Sequence, residues 1–367
     1  MKKSHKIIIS GGGTGGHIYP ALAIADELKR RDAGNEILFV GASGRMEMEK
    51  IPASGYKIIG LPVRGFNRKN PLANIGTLTR LIQSAKMARK IINDFKPDIA
   101  VGVGGYASGP LLRAAGKKGI PTIIQEQNSY AGVTNRLLAK RAAKICVAYQ
   151  GMEKYFPAQK VIITGNPVRK DLTQITHKNP QALDYFKLNP GKKVLLVMGG
   201  SLGARTINLA IKNNLHLLAE KTTIEVIWQT GKIYYEDSLA SLKESRYQNI
   251  KIFDFINRMD LVYSVADVII SRAGACTISE LCIVGKPAIL VPSPNVAEDH
   301  QTKNAMAVAG NDAGIMIADS EAGSRLTVEA LELMENEAKM QALGKNIKKM
   351  ALENATEKIA DEIYKLL

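Results

Sequence analysis

Three glycine-rich stretches carry the first chemical information in the sequence. Gly11-Gly12-Gly13-Thr14-Gly15-Gly16-His17 lies between a short apolar run and an amphipathic one. Gly102-Val103-Gly104-Gly105-Tyr106-Ala107-Ser108-Gly109-Pro110 and Gly199-Gly200-Ser201-Leu202-Gly203 hold the same position after later runs. Glycine lets backbone approach a ligand closely, and a helix that starts there aims N–H groups and partial positive charge at it. One such loop is as readily a tight turn. Three at equivalent strand ends describe amide-lined walls suited to a diphosphate or to sugar hydroxyls. Gly11, Gly13 and Gly16 satisfy G-x-G-x-x-G, but the second apolar run ends in Gly41-Ala42-Ser43 and its nearby acid, Glu36, sits at its start. A nicotinamide or flavin site wants an acid at that end, so it is disfavoured, and no G-K-[ST] follows to make a P-loop.

Two further stretches are polar at a strand end. Arg272-Ala273-Gly274-Ala275-Cys276-Thr277-Ile278-Ser279-Glu280 opens a helix with small residues and places Glu280 about one turn in. A carboxylate there caps its own helix or accepts two ribose hydroxyls. Pro294 to Ala305, with Glu298, Asp299, His300, Gln301 and Asn304, concentrates polar groups where a sugar would sit.

These loops need strands and helices to hold them. Lys6 to Ser10, Ile37 to Gly41, Ile99 to Val103, Thr122 to Ile124 and Ile145 to Ala148 read as buried strands separated by helical periodicity. The first helix is expected near Pro20. After Val161 to Gly165 and the turn chemistry of Asn166-Pro167 and Asn189-Pro190-Gly191, the pattern restarts. Strands follow at Val194 to Met198, Ile224 to Trp228, Ile250 to Phe253, Val268 to Ile270 and Ala288 to Val291. The fold class is α/β: two units joined near Gly165, each a mostly parallel sheet with helices on both faces, with a cleft between them as the expected site. Lys339 to Leu367 reads as one long helix, either closing the second unit or returning to the first.

The chain has 367 residues and a net charge of +16. Residues 1 to 164 hold 26 Lys and Arg against 10 Asp and Glu, so the whole excess lies in the first unit. That asymmetry points to an anionic partner for one unit only. Aromatic residues make up only 5% and no reading motif is present, which argues against nucleic acid. No apolar run reaches the roughly 18 residues of a membrane span, and no signal-peptide core follows Met1-Lys2-Lys3. A cytoplasmic protein is expected. Cys146, Cys276 and Cys282 lack C-x-x-C spacing and read as buried thiols.

Taken together, Gly11 to Leu22, Gly104 to Pro110, Glu126 to Asn135 (EQNSYAGVTN), Thr164 to Arg169, Gly199 to Ala204, Arg272 to Leu281 and Asp299 to Ala305 resemble, in order, the MurG family of bacterial glycosyltransferases, within glycosyltransferase family 28. The resemblance implies a GT-B fold of two Rossmann-like domains, 1–164 and 165–341, with a final helix over about 342–367 crossing back. It implies an inverting enzyme that moves N-acetylglucosamine from UDP-GlcNAc to the C4 hydroxyl of the muramoyl sugar in undecaprenyl-diphospho-MurNAc-pentapeptide (lipid I), giving lipid II in peptidoglycan synthesis. It also implies site residues. Uracil falls to backbone near Ile256, ribose to Glu280, and diphosphate to the Ser201 loop and the helix at Ala275, with Arg169 close by. Gln301 and Asn128 match positions that hold the sugar, and Thr14, Gly15 and Gly16 line the facing wall. Gln125, Leu202 and Ala273 depart from the family pattern, which commonly has His, Gln and Ser there. The first change argues against an acid or base at 125, and the second leaves more of the phosphate binding to backbone amides.

Such a displacement needs a base near the acceptor hydroxyl. His17, held by a glycine loop and titrating in the useful range, is the candidate; capping its helix or binding phosphate is the competing role. His300 is the second choice, and His5, His177 and His216 have no comparable setting. No D-x-D is present to bridge a metal to the diphosphate, so neither metal nor cofactor is expected. Between Arg64 and Lys118 there are 11 basic residues and two acids, with Ile75, Leu78 and Ile82 at helical spacing beside Arg80, Lys86, Arg89 and Lys90. For the stripe alone, a core-facing helix is the ordinary expectation. Beside the charge excess and a lipid acceptor, these residues and Tyr106 are assigned to an acceptor and anionic-membrane surface, peripheral on the cytoplasmic face. Other wall-building proteins remain open as partners. The rivals are another UDP-sugar:lipid transferase, such as a diacylglycerol glycosyltransferase, and a UDP-GlcNAc epimerase.

Overall fold

A computed structural model describes residues 4–65, 75–175, 177–245, 247–296 and 299–367. The Ile- and Val-rich runs form β1 (Lys6–Ser10), β2 (Glu36–Ala42), β3 (Lys57–Leu61), β4 (Ile99–Gly102), β5 (Thr122–Glu126), β6 (Lys144–Val147) and β7 (Val161–Ile163) in the first unit. In the second they form β8 (Lys193–Met198), β9 (Ile224–Gln229), β10 (Ile250–Phe253), β11 (Val268–Ser271), β12 (Ala288–Leu290) and β13 (Ile315–Met316). The segments between them hold α1 (Gly15–Arg31), α2 (Glu47–Ala53), α3 (Ile75–Phe95), α4 (Ser108–Lys117) and α5 (Val133–Ala139), then α6 (Pro180–Phe186), α7 (Arg205–Asn213), α8 (Leu215–Glu220) and α9 (Lys232–Ser245). The remaining helices are α10 (Met259–Val265), α11 (Ala275–Val284), α12 (His300–Ala309), α13 (Ala322–Glu335), α14 (Glu337–Lys349) and α15 (Ala355–Tyr364). β3 and β13 were not foreseen: one is a half-buried edge strand and the other is two residues long.

Every strand pair is parallel, as buried strands joined by helical crossovers require. The first sheet runs β3-β2-β1-β4-β5-β6-β7 and the second β10-β9-β8-β11-β12-β13. Strand order therefore reverses between β1 and β4 in one sheet and between β8 and β11 in the other. Ligands of open parallel sheets bind beyond the strand ends at such reversals. All three glycine loops and the Arg272 loop leave from these four strands.

The first sheet has a core on each face. Ile8, Val40, Ala100 and Ile124 pack with Ala88, Ile91 and Ile92 of α3 and Leu111 and Leu112 of α4. Ile7, Ile9, Phe39 and Val101 pack with Ile18 and Leu28 of α1 and with Ile359 and Ile363 of α15. In the second sheet, Leu195, Val197, Trp228 and Ile270 meet α7, α13 and α14.

Two expectations change. Helix α1 starts at Gly15 instead of near Pro20, because Thr14 is extended at φ −147° and the next residues already turn, leaving Pro20 inside the helix. The C-terminal segment is two helices, broken where Asn354 takes a left-handed φ of 58°, a conformation Asn tolerates. The chain divides into Met1–Val168 with Leu352–Leu367, and Arg169–Ala351. Residues 342–349 thus stay in the second unit, where Leu343 is buried, and the returning segment begins at 352. Gly165, at φ +90°, admits it: a Cβ there would stand 2.7 Å from that of Leu352.

Candidate functional site

In the first unit the chain leaves β1 through Gly11 and Gly12, turns at Gly13 with φ +90°, and enters α1 after Thr14. The His17 and Ile18 amides donate to Thr14 O, closing the first turn. His17 Nδ1 lies 3.0 Å from Gly12 O and 3.4 Å from Thr14 Oγ1. A carbonyl can only accept, so the shorter contact puts the proton on Nδ1 and the lone pair of the neutral ring on Nε2. The loop after β4 packs against this one without side chains. A Cβ on Gly104, at φ +97°, would fall 2.7 Å from His17 Cδ2, and one on Gly105 2.6 Å from Gly12 O. Ser108 Oγ closes the corner, donating to Ser10 O and Gly104 O at 3.1 and 2.8 Å.

One residue of this corner escaped the sequence reading. Glu47, fully buried at the start of α2, accepts from Gly13 N and Ala42 N, each at 2.9 Å. The sequence offered a weak sign, an acid five residues past the end of β2, but its partners are backbone amides that only the fold assembles.

Asn128 is held from below. Its backbone and side-chain nitrogens donate to Glu126 Oε1 at 3.1 and 3.2 Å, while Glu126 Oε2 takes Gly132 N and Asn135 Nδ2 at 3.0 and 2.8 Å. Gln125 is buried and donates to Asn166 Oδ1 at 2.9 Å, and Asn166 Nδ2 donates to Gln127 O at 3.0 Å. At position 125, then, stands a structural amide.

The second unit repeats the device. Gly203 has φ +77°, and a Cβ there would lie 2.0 Å from Thr230 O. Gln229 donates to Gly200 O at 3.2 Å and accepts from Ile256 N at 2.9 Å, so one buried amide ties the Ser201 loop to the backbone at Ile256. The N–H of Ile256 is thereby committed to Gln229. Ser201 is half-buried, whereas Leu202 is 62% exposed. Arg272, missed as a structural residue, donates to Val291 O and Pro292 O, each at 3.1 Å, and pairs with Asp319, whose other oxygen takes Thr206 Oγ1 at 3.0 Å.

Helix α11 begins at Ala275 after an extended Gly274. Glu280 does not cap it. Its Oε2 accepts from the fully buried Tyr263 hydroxyl at 2.9 Å, a bond between residues 17 apart that no spacing rule reveals. Burial pushes the Glu280 carboxyl up from the ordinary carboxylate range, opposed by the Arg169 charge and the Tyr263 bond, with Asp171 adding to the rise. Tyr263 is pushed up by its own burial and by Glu280. Arg169 therefore acts electrostatically on Glu280, inside the same unit. Gln301, in the first turn of α12, accepts from Ser293 N at 2.9 Å, and Asn304 donates to Ala273 O at 3.3 Å. The three cysteines form no disulfide, and burial drives each thiol up to about 12.

On the first unit's other helical face, the core-facing expectation for the stripe is overturned. Helix α3 buries Thr77, Ser84, Ala88, Ile91 and Ile92, while Leu78 and Ile82 are 54% and 53% exposed. Ala88, Ile91 and Ile92 share a core with Leu111 and Leu112 of α4, and Leu78 and Ile82 are left outside. Tyr106 is 51% exposed, and Leu137 on α5, which no motif flagged, is 78% exposed. Lys86, Arg89 and Lys90 are exposed and Arg80 is half-buried. The side chain of Ile75 and residues 66–74, with Arg68 and Lys69, lie outside the described residues. Among the described residues, no helix is long and apolar enough to cross a membrane and no cluster of three or more His, Cys, Asp or Glu is placed to hold a metal.

The family model for the glycosyltransferase family 28 N-terminal domain matches residues 7–147, and that for the C-terminal domain matches residues 194–362. A Parabacteroides distasonis protein named UDP-N-acetylglucosamine–N-acetylmuramyl-(pentapeptide) pyrophosphoryl-undecaprenol N-acetylglucosamine transferase is 56% identical, covering 100% of this chain and 99% of its own. A Cytophaga hutchinsonii protein of the same name is 55% identical over 100% and 98%. Among solved structures, Acinetobacter baumannii MurG superposes with a TM-score of 0.76 at 26% identity, covering 99% of this chain and 100% of its own. Two Rossmann-like units that carry these matches make the fold class GT-B. Spanned end to end by relatives more than half identical, the chain belongs to glycosyltransferase family 28, in its MurG family.

Proposed function

We propose that this chain transfers N-acetylglucosamine from UDP-GlcNAc to the C4 hydroxyl of the muramoyl sugar of lipid I, giving lipid II and UDP. The carrying observation is that its amide-lined loops leave both sheets at their reversal points, in a chain whose end-to-end relatives are named for this reaction. Incubation with radiolabelled UDP-GlcNAc and either lipid I or a diacylglycerol is expected to label lipid I alone. Label in the diacylglycerol, or in neither lipid with epimerised nucleotide sugar recovered, would replace this reading with one of its rivals.

In this reading the donor sits mainly on the second unit. Glu280 takes the ribose hydroxyls, the Ile256 carbonyl the base, and the Ser201 loop with the start of α11 at Ala275 the diphosphate, near Arg169. Gln301 and Asn128 hold the sugar, and Thr14, Gly15 and Gly16 line the facing wall of the UDP-GlcNAc site. The C4 oxygen forms its bond to the anomeric carbon as the bond to UDP breaks; the electron pair leaves with the diphosphate and the hydroxyl proton passes to His17 Nε2. Backbone N–H groups and a helix start stabilise the departing charge.

The acceptor is held in lipid, and the reading extends to a peripheral site on the cytoplasmic membrane face, where other wall-building proteins could be met. Leu78, Ile82, Leu137 and Tyr106 would enter the interface while Arg80, Lys86, Arg89 and Lys90 meet anionic headgroups, each basic residue near the surface contributing about 1 kcal/mol. Binding to phosphatidylglycerol vesicles should weaken with salt and fall in Leu78→Glu/Ile82→Glu. Equal binding to neutral phosphatidylcholine vesicles at all salt concentrations would contradict this surface.

A further inference from the structure

One peptide group lies between a buried carboxylate and the histidine. The Gly12–Gly13 peptide presents its N–H, that of Gly13, to Glu47 Oε2 at 2.9 Å, and its C=O, that of Gly12, to His17 Nδ1 at 3.0 Å. Glu47 Oε1 is fixed by Ala42 N at 2.9 Å, so the carboxylate cannot swing away. Space for it is built by glycine: a Cβ on Gly12 would fall 2.2 Å from Glu47 Oε1, and one on Gly41 2.6 Å from Glu47 Cγ. Glu47 is fully buried, where an ionised oxygen bonds its donors most strongly.

We propose that Glu47 is a positioning residue that acts on His17 through the Gly12–Gly13 peptide. Peptide resonance couples the two ends. A carboxylate on the N–H makes the carbonyl oxygen more negative, so it accepts the Nδ1–H bond more strongly. That bond holds the ring in the tautomer with its lone pair on Nε2, and it strengthens when Nε2 takes a proton and the ring becomes cationic. The carboxylate of the Ser-His-Asp arrangement does this by touching the imidazole; here one peptide unit is inserted between them. A carboxylate that only braced the glycine loop would be indifferent to the ring's protonation.

The inference rests on His17 serving as base in the proposed transfer, but its first test needs no substrate. In protein labelled with 15N-histidine, two-bond 1H–15N correlation spectra at a pH where the ring is neutral should show His17 protonated on Nδ1, and Glu47→Gln should shift it toward a mixture of tautomers. A native ring protonated on Nε2, or a tautomer unchanged in Glu47→Gln, would overturn the relay. Because the native measurement stands by itself, a variant that failed to fold would still leave the proposal tested. In the transfer assay, Glu47→Gln should lower kcat by roughly 10- to 100-fold, the range for lost outer-shell partners, with KM for UDP-GlcNAc unchanged and part of kcat restored in Glu47→Asp. In a His17→Ala background the same substitution should cost less than about 2-fold, since residues acting as a unit are not additive. A full second loss there would make Glu47 a brace only. Absence of any transfer, by contrast, would strike the functional reading and leave the spectra to decide the relay.

Discussion

Replacing His17 with alanine should lower kcat by about 10²- to 10⁴-fold while leaving KM for UDP-GlcNAc within a few-fold. The split follows from where the residue lies. His17 belongs to the loop after β1 in the first unit, whereas the groups assigned to the donor nucleotide belong to loops of the second. In the proposed transfer, losing the imidazole removes the acceptor for the hydroxyl proton but none of the amides assigned to the diphosphate. His17→Asn keeps a donor for Gly12 O without a titrating nitrogen, and it should rescue folding stability without rescuing kcat. Loss confined to KM would show that the ring binds phosphate. Full rescue by Asn would show that it only caps the loop.

What the sequence made legible was the chemistry tied to residue type. Glycine after a strand is visible at positions 11–16, 102–105 and 199–203, and the structure sets those stretches at the reversal points of both sheets. Contacts that only the fold assembles were not legible. Glu47 is defined by the amides of Gly13 and Ala42, and Glu280 by a tyrosine 17 residues away, so neither partnership leaves a local pattern. Periodicity also misjudged which side of α3 is buried. Apolar residues at 75, 78 and 82 define a stripe, yet the face that is buried carries Thr77, Ser84, Ala88, Ile91 and Ile92, the last three in one core with Leu111 and Leu112 of α4, and Leu78 and Ile82 stay outside. The break at Asn354 was hidden for a related reason: an Asn in a Lys- and Glu-rich helical pattern gives no sign of a left-handed φ until packing demands one. Fold class was thus readable from alternation, and supporting residues were not, because their causes are tertiary.

Glu280→Gln should raise KM for UDP-GlcNAc by roughly 10- to 100-fold, as expected when hydrogen bonds to a charged group, each about 1.5–3 kcal/mol, lose that charge. The amide still offers an oxygen to Tyr263, so packing is preserved and kcat at saturating donor should change little. Selectivity gives the sharper reading. The native protein should bind UDP far better than 2′-deoxy-UDP, whereas the variant should bind the two alike; retained discrimination would remove Glu280 from the ribose. The pH dependence carries a sign that can be checked. Burial raises the Glu280 carboxyl above the ordinary range, so it gains its proton at a higher pH than a typical glutamate. In the proposed ribose contact it is the ionised form that accepts the hydroxyls, so KM should rise as pH falls through that raised value, while in Glu280→Gln it stays flat over the same window. Folding runs the other way. The native state holds this proton more tightly than the unfolded chain, so between the unfolded and folded values the Glu280 contribution to stability falls as pH rises. A carboxylate that is costly to keep ionised in the empty protein becomes less costly once ribose hydroxyls donate to it, so nucleotide binding should release the proton, and UDP should lower the Glu280 pKa in a titration followed by 13C NMR of the carboxyl.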